Sequence, residues 1–292
     1  MGCCFSSSST AVEDGPGDGK DDSTGKKKPA PAKAGVAVPK DVIAKKVAQA
    51  EKTKLLALRE CGLKALPPAV AQITELRTID LSVNALQQLP DATPAWSSVK
   101  VLQCPQNSLA SLPASIGEMR SLEKLVLSQN QLKALPVELS KLGSLKTLSL
   151  DSNKLGPQLG DVFAGAIADS LEELDLSSNN LQDLAPSMAR LKALTRLIMS
   201  RNTLQQLPDW MGELVKLTDL DASDNKLKTV PPSLLQSTTV SHLWLKGNPV
   251  DPLVLREVPG FEDFCERRKE RIDKKVDANT VGRVNLAMCG LD

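Results

Sequence analysis

The residues with the plainest chemistry stand at the start of the chain, Met1-Gly2-Cys3-Cys4-Phe5-Ser6. Once Met1 is removed, Gly2 offers an α-amine with no side chain to obstruct it. Ser6 completes the Met-Gly-x-x-x-Ser/Thr pattern of N-myristoylation. One myristoyl chain holds a membrane only marginally, with a partition constant on the order of 10⁴ M⁻¹. A second signal is therefore expected. Cys3 and Cys4 would be thiols held at the lipid surface and are candidates for palmitoylation. Lys26, Lys27 and Lys28 would each add about 1 kcal/mol near anionic lipid. The acids of residues 11–22, five against one lysine, weaken that pull. The expected location is the cytoplasmic face of a membrane, the plasma membrane for preference, with a soluble cytosolic pool.

Other chemistry is harder to find. The one histidine is His242. Asp219 and Asp221 precede it, but no nucleophile elbow accompanies them. Residues 17–28 lack the spacing of a phosphate loop, and residues 14–22 lack the glutamate and flanking helices of a calcium loop. The six cysteines, Cys3, Cys4, Cys61, Cys104, Cys265 and Cys289, form no CxxC pair. They suit a reducing compartment better than a disulfide framework or a zinc site. No catalytic residue, no metal and no cofactor is expected, and the chain reads as a non-enzyme. A formal net charge of +1 over 292 residues gives no general reason to bind nucleic acid. No run of 18 apolar residues is long enough to span a bilayer. The N-terminus also lacks the apolar core of a signal peptide.

What organises the chain is a repeat. The segments at 76–90, 99–113 and 122–136 share one pattern, Leu-x-x-Leu-x-Leu-x-x-Asn-x-Leu, with Leu-Pro closing the segment. Its asparagines are Asn84, Asn107, Asn130, Asn153, Asn179, Asn202, Asn225 and Asn248, spaced by 23 residues except for 26 between Asn153 and Asn179. A degenerate first copy puts Cys61 where asparagine is expected, so there are nine copies. The Leu-x-Leu alternation has the two-residue period of a strand. Aromatic residues are only 2% of the chain, so the core must be aliphatic. No copy can bury its own leucines, and the copies must stack. The asparagine is placed to bond the backbone that turns after each strand.

The expected fold is therefore α/β, a leucine-rich repeat solenoid or horseshoe with a parallel concave sheet, nine repeats, helical caps and a disordered, acylated N-terminal tail. The expected divisions are a lipidated tail over 1–40, a capping helix over 41–54, repeats over 55–252, and a C-terminal cap and tail over 253–292. Val42, Ile43, Val47 and Ala50 carry the first cap; Phe261 and Phe264 carry the second. The charged residues of that second cap, Arg267 and Arg271 among them, read as a solvated face. The three extra residues between Asn153 and Asn179 predict a longer convex helix within 155–170. A tail of about forty residues would have a root-mean-square reach of roughly 30–40 Å.

The non-leucine strand positions of such a solenoid form its concave face. Its C-terminal half gathers Glu173, Asp175, Arg196, Ile198, Asp219, Asp221, His242 and Trp244. Trp and Arg are over-represented in binding hot spots. The predicted partner footprint is Arg196, Ile198, Asp221 and Trp244, on a chain expected to be a monomer.

The 23-residue Leu-x-x-Leu-Pro copies, the Met-Gly start and the segment 258–279, VPGFEDFCERRKERIDKKVDAN, resemble the leucine-rich repeat-containing protein 57 family and its plant intracellular relatives. The repeats also resemble the Ras-group class of intracellular leucine-rich repeat proteins. The lysine-rich stretch at 11–40 departs from that pattern. The resemblance implies a lipidated scaffold or adaptor that binds a signalling protein. The alternative it implies is a regulator of Ras-like small GTPase signalling or of a kinase or phosphatase.

Overall fold

The computed structural model describes residues 38–91 and 96–277, and of 272–277 the backbone alone. Nine strands of three residues each form one sheet: β1 (Leu55–Ala57), β2 (Thr78–Asp80), β3 (Val101–Gln103), β4 (Lys124–Val126), β5 (Thr147–Ser149), β6 (Glu173–Asp175), β7 (Arg196–Ile198), β8 (Asp219–Asp221) and β9 (His242–Trp244). Each strand pairs in parallel only with its sequence neighbours, in the order β1 to β9. The register keeps repeat positions aligned, even from β5 to β6, where Thr147 lies opposite Glu173. The expected solenoid with nine parallel strands is therefore the observed fold.

Strand and return segment match in length. Three strand residues rise about 10 Å. Most coils return through a 3-10 turn, such as Val137–Lys141 or Asp209–Glu213. Five residues at about 2.0 Å each cover the same 10 Å. Pro136 and Pro208 stand immediately before these two turns, at φ −70° and −74°. The leucines of the strand, the turn and the links between them are buried, among them Leu125, Leu127, Leu132, Leu139, Leu142 and Leu145. Burial of each stabilises the stack by about 1.5–3 kcal/mol relative to exposure.

The asparagines bind one coil to the next. Asn130 Nδ2 donates to the carbonyl of Leu127 at 2.9 Å within its own coil and to that of Cys104 at 2.9 Å in the preceding one. Its Oδ1 accepts from the Leu109 amide at 3.0 Å. Asn107, Asn153, Asn202 and Asn225 repeat the arrangement. Just before the asparagine the chain passes through the left-handed region, at Gln106, Gln129, Ser152, Ser178, Arg201 and Asp224. At the last coil that position is Gly247, with φ 78°.

The longer convex helix expected within 155–170 does not form. Only Ala166–Asp169 makes a 3-10 turn. Gly165 holds φ 111°, which no helix accommodates, and a Cβ there would meet the Ser140 carbonyl at 3.0 Å. A Cβ on Gly156 would run into the carbonyl of Asn180. The extra residues are absorbed by this close approach and by the bridge between Gln158 and Asp183, while Leu159, Val162, Phe163 and Ile167 stay in the core.

Both ends are capped by helices. In α1 (Lys40–Thr53), Ile43, Val47 and Ala50 are buried. Behind β9 come α2 (Pro232–Ser237), α3 (Pro252–Arg256) and α4 (Phe261–Asp277). Phe261 and Phe264 are buried, with ring centroids 6.1 Å apart. The charged face of α4 is not simply solvated. Arg267 is half-buried and donates from Nη2 to the Leu235 carbonyl at 2.6 Å and from Nε to the Val240 carbonyl at 3.1 Å. These bonds occupy carbonyls at the solenoid's open end.

Candidate functional site

In every strand the middle residue points into the core and its two neighbours face outward, as in Arg196-Leu197-Ile198 and Asp219-Leu220-Asp221. Parallel register then sets Glu173, Arg196, Asp219 and His242 in one row. Asp175, Ile198, Asp221 and Trp244 form the next. The four residues expected to meet a partner, Arg196, Ile198, Asp221 and Trp244, come together. With Leu197 and Asp219 they line one concave depression of about 90 Å³. A second depression of about 240 Å³ continues from it across Thr147, Ser149, Glu173 and Asp175. Ligand pockets for small molecules run at about 300–1,000 Å³ and are mostly apolar. These shallow, charged depressions suit side chains of another protein better.

A larger hollow of about 540 Å³ lies along the flank, lined by Glu123, Lys146, Glu172 and Lys216 among others. Its charges are largely self-satisfied. Lys100 pairs with Glu123 at 2.7 Å, and Lys146 with Glu172 at 3.4 Å. On the concave face Asp219 is paired with His242 and Arg271, but its neighbours differ. Among the described residues, no salt bridge engages Arg196, Asp151, Asp175 or Asp221. Asp175 is raised above the ordinary carboxylate range, chiefly by burial. Its bonds from Ser177 oppose the shift, and the charges of Asp151 and Asp221 add to it.

One detail of this face escaped the repeat pattern. Asp175 Oδ1 accepts from the amide of Ser177 at 2.9 Å and its hydroxyl at 2.7 Å. Asp221 Oδ1 does the same with Ser223, at 3.0 and 2.6 Å. Asp80 and Ser82 form a third such pair. These aspartates close the turn that ends the strand, as Asx turns do. Asp-x-Ser was readable in the sequence at all three places. Asp221 is thus both a turn residue and part of the concave face.

Trp244 is 40% exposed. Its ring stacks on His242, centroids 5.4 Å apart and 20° from parallel. His242 Nδ1 lies 3.0 Å from Asp219 Oδ1. Asp219 Oδ2 receives Thr218 Oγ1 at 2.6 Å and Arg271 Nη1 at 3.2 Å. Burial pushes the Asp219 carboxyl up, yet Thr218, Arg271 and His242 together bring it below the ordinary range. Arg271 comes from α4 and also bonds Ser241 Oγ at 2.9 Å. Sequence reasoning missed Arg271 here, since 52 residues separate it from Asp219.

Among the described residues, no group of three or more His, Cys, Asp and Glu is placed to hold a metal ion. None of their helices is long and apolar enough to cross a membrane. Burial raises the Cys104 thiol far above its ordinary value, so it stays protonated in the core. The expected acylation residues Gly2, Cys3 and Cys4 lie outside the described residues.

A family model described as leucine rich repeat matches residues 97–155 and 169–227. No curated protein shows a significant match. Among solved structures, the chain is similar to one in the Drosophila Toll–Spatzle complex, a hub in development and innate immunity. There the identity is 21%, the TM-score 0.55, and the match covers 67% of this chain and 30% of the other. It is similar to a plant ice-binding protein at 22% identity and TM-score 0.52, over 66% of this chain and 72% of that one. It is also similar to YopM, a leucine-rich effector protein from Yersinia pestis. That match has 25% identity and TM-score 0.53, over 78% of this chain and 65% of that one. The chain therefore spans less than a third of the Toll-complex chain and just under two thirds of YopM. The first two likenesses are of fold alone.

Proposed function

We propose that this leucine-rich repeat solenoid is a scaffold or adaptor, held at the cytoplasmic face of a membrane by its acylated N-terminus, that binds a signalling protein on the C-terminal half of its concave face. One observation carries the binding surface: Arg196, Ile198, Asp221 and Trp244 line a single concave depression. An exposed indole and an arginine lining the same depression are of the residue types that dominate interface energetics. The charges left without salt bridges on that face are what electrostatic complementarity acts on. Charged rows of this kind steer a partner and reject wrong ones.

The membrane part rests on chemistry at Gly2, Cys3 and Cys4. One acyl chain binds reversibly and two bind stably. A thiol beside an acylated glycine is therefore the natural second anchor. The Phe261–Lys269 stretch supports a place among small intracellular leucine-rich repeat proteins like the protein 57 family, and the Leu-x-x-Leu-Pro repeats a likeness to the Ras-group type. Regulation of Ras-like small GTPase signalling, or of a kinase or phosphatase, is the alternative reading.

Proximity labelling with the wild-type chain and with Gly2→Ala tests location and partners together. Membrane proteins are expected to be labelled by the first and lost with the second; equal labelling by both would reject the anchor. Pull-down with Arg196→Ala/Trp244→Ala tests the concave face, and undiminished capture of the wild-type partner would reject it. A GTPase partner would be captured in one nucleotide state in preference to the other.

A further inference from the structure

We infer that the C-terminal helix is a positioning element of the concave site: Arg271, acting through Asp219 and His242, fixes the ring of Trp244. This rests on the reading of Trp244 as the residue that meets a partner. It adds that the site is set partly from outside the sheet.

The contacts form a continuous chain. Arg271 Nη1 is 3.2 Å from Asp219 Oδ2, Asp219 Oδ1 is 3.0 Å from His242 Nδ1, and the His242 ring lies against that of Trp244 at 5.4 Å. Asp219 and His242 are opposite one another on β8 and β9. Both oxygens of Asp219 are engaged, one by the imidazole and one by Thr218 and Arg271. A carboxylate gripped on both sides has little freedom to rotate, and charge-assisted bonds are the stronger kind. The imidazole it holds is therefore restrained, and the indole stacked on it at 5.4 Å has a preferred offset geometry to keep.

Capping alone does not call for this reach. Phe261 and Phe264 cover the apolar end, and Arg267 bonds the carbonyls of Leu235 and Val240. Those contacts seat α4 on the last coils. Arg271 extends past β9 to a side chain on β8, on the outward face of the sheet. Besides its docking bond to Ser241 at the last coil, Arg271 thus joins the helix to the binding face. Preorganising an anchor side chain in this way lowers the ordering cost of binding.

The test uses the full chain labelled with 5-fluorotryptophan, which gives one fluorine resonance each for Trp96, Trp210 and Trp244. Trp244→Phe identifies the third. Arg271→Gln is expected to shift and broaden the Trp244 line while leaving Trp96 and Trp210 in place. Asp219→Asn is expected to do the same. Arg271→Lys, which keeps the charge, is expected to restore the line in part. Arg267→Gln serves as comparison, because it removes the bonds of α4 to Leu235 and Val240 and leaves the Arg271 side chain in place to hold Asp219. A Trp244 line in Arg271→Gln that superimposes on wild type would overturn the inference. So would one that moves no further than in Arg267→Gln, since that is merely a loosened cap. No partner is present in this experiment, so its failure is separate from failure of the pull-down.

Discussion

The indole of Trp244 lies nearly parallel to the imidazole of His242, at 5.4 Å between centroids. One face of the indole is thus occupied, and the side chain remains 40% exposed. Under the proposed function, an aromatic exposed in this way serves as a binding anchor rather than a core residue. Trp244→Ala is therefore expected to change stability by less than about 1 kcal/mol. Partner capture should fall sharply in the same variant. A thermal melt beside a pull-down reads both. A large drop in melting temperature would make Trp244 structural instead.

Asn130 presents the opposite case. Its amide serves the Leu109 amide and the carbonyls of Cys104 and Leu127, all buried. Asn130→Ala leaves the Leu109 amide unpaired, while the carbonyls of Cys104 and Leu127 keep their bonds from Asn107 and Asn153. A net loss of about 1–3 kcal/mol is expected in chemical denaturation. Lys133→Ala, an exposed change in the same coil, should stay within about 0.5 kcal/mol.

The repeat made the strands and asparagine ladder legible before any coordinates, because period and residue type are both local facts. It misjudged residues 155–170 for a physical reason. Leu159, Val162, Phe163 and Ile167 have helical spacing, but the coil has to turn at Gly165, with φ 111°. Close approach of Gly156 to the neighbouring coil is equally invisible in one dimension. The concave rows followed from register alone. Arg271 did not, because nothing near it in sequence hints at a partner 52 residues away.

Cys61 shows where the consensus itself misleads. It stands at an asparagine position, so consensus reasoning favours Cys61→Asn. Yet an asparagine here has no preceding coil to bond. The residue 21 positions earlier, where the other asparagines find an amide, is Lys40 at the start of α1. The Cys61 sulfur instead sits in the core cluster with Ile43 and Val47, 3.4 Å from the Arg59 carbonyl and 3.7 Å from Lys46 Nζ. An amide there would be buried with part of its bonding unmet. Cys61→Asn is expected to destabilise by about 1–2 kcal/mol. A variant as stable as wild type would mean that α1 supplies the missing partners.

Asp175 and Asp219 should respond to pH with opposite signs, although both are half-buried on the same face. Asp175 is raised, first by burial and then by Asp151 and Asp221 against the opposing Ser177 bonds. Its folded form holds the proton more tightly than the unfolded chain, whose aspartates titrate near about pH 3.9. It therefore favours the fold below that pH, and the advantage is lost as pH rises through the folded value. Asp175→Asn keeps an acceptor oxygen for Ser177 and removes the charge. It should raise the melting temperature at pH 7 and leave it nearly unchanged at pH 3. For Asp219, burial raises the carboxyl but the bonds and charges of Thr218, Arg271 and His242 outweigh it. Its folded value is depressed. The stabilisation is present above about pH 3.9 and is lost as pH falls through the folded value. Asp219→Asn should therefore lower the melting temperature at pH 7 and much less at pH 3. Melts of the two variants at both pH values check the signs. If both variants shifted the same way at pH 7, the contrast between an uncompensated acid and one held by Arg271 and His242 would be wrong.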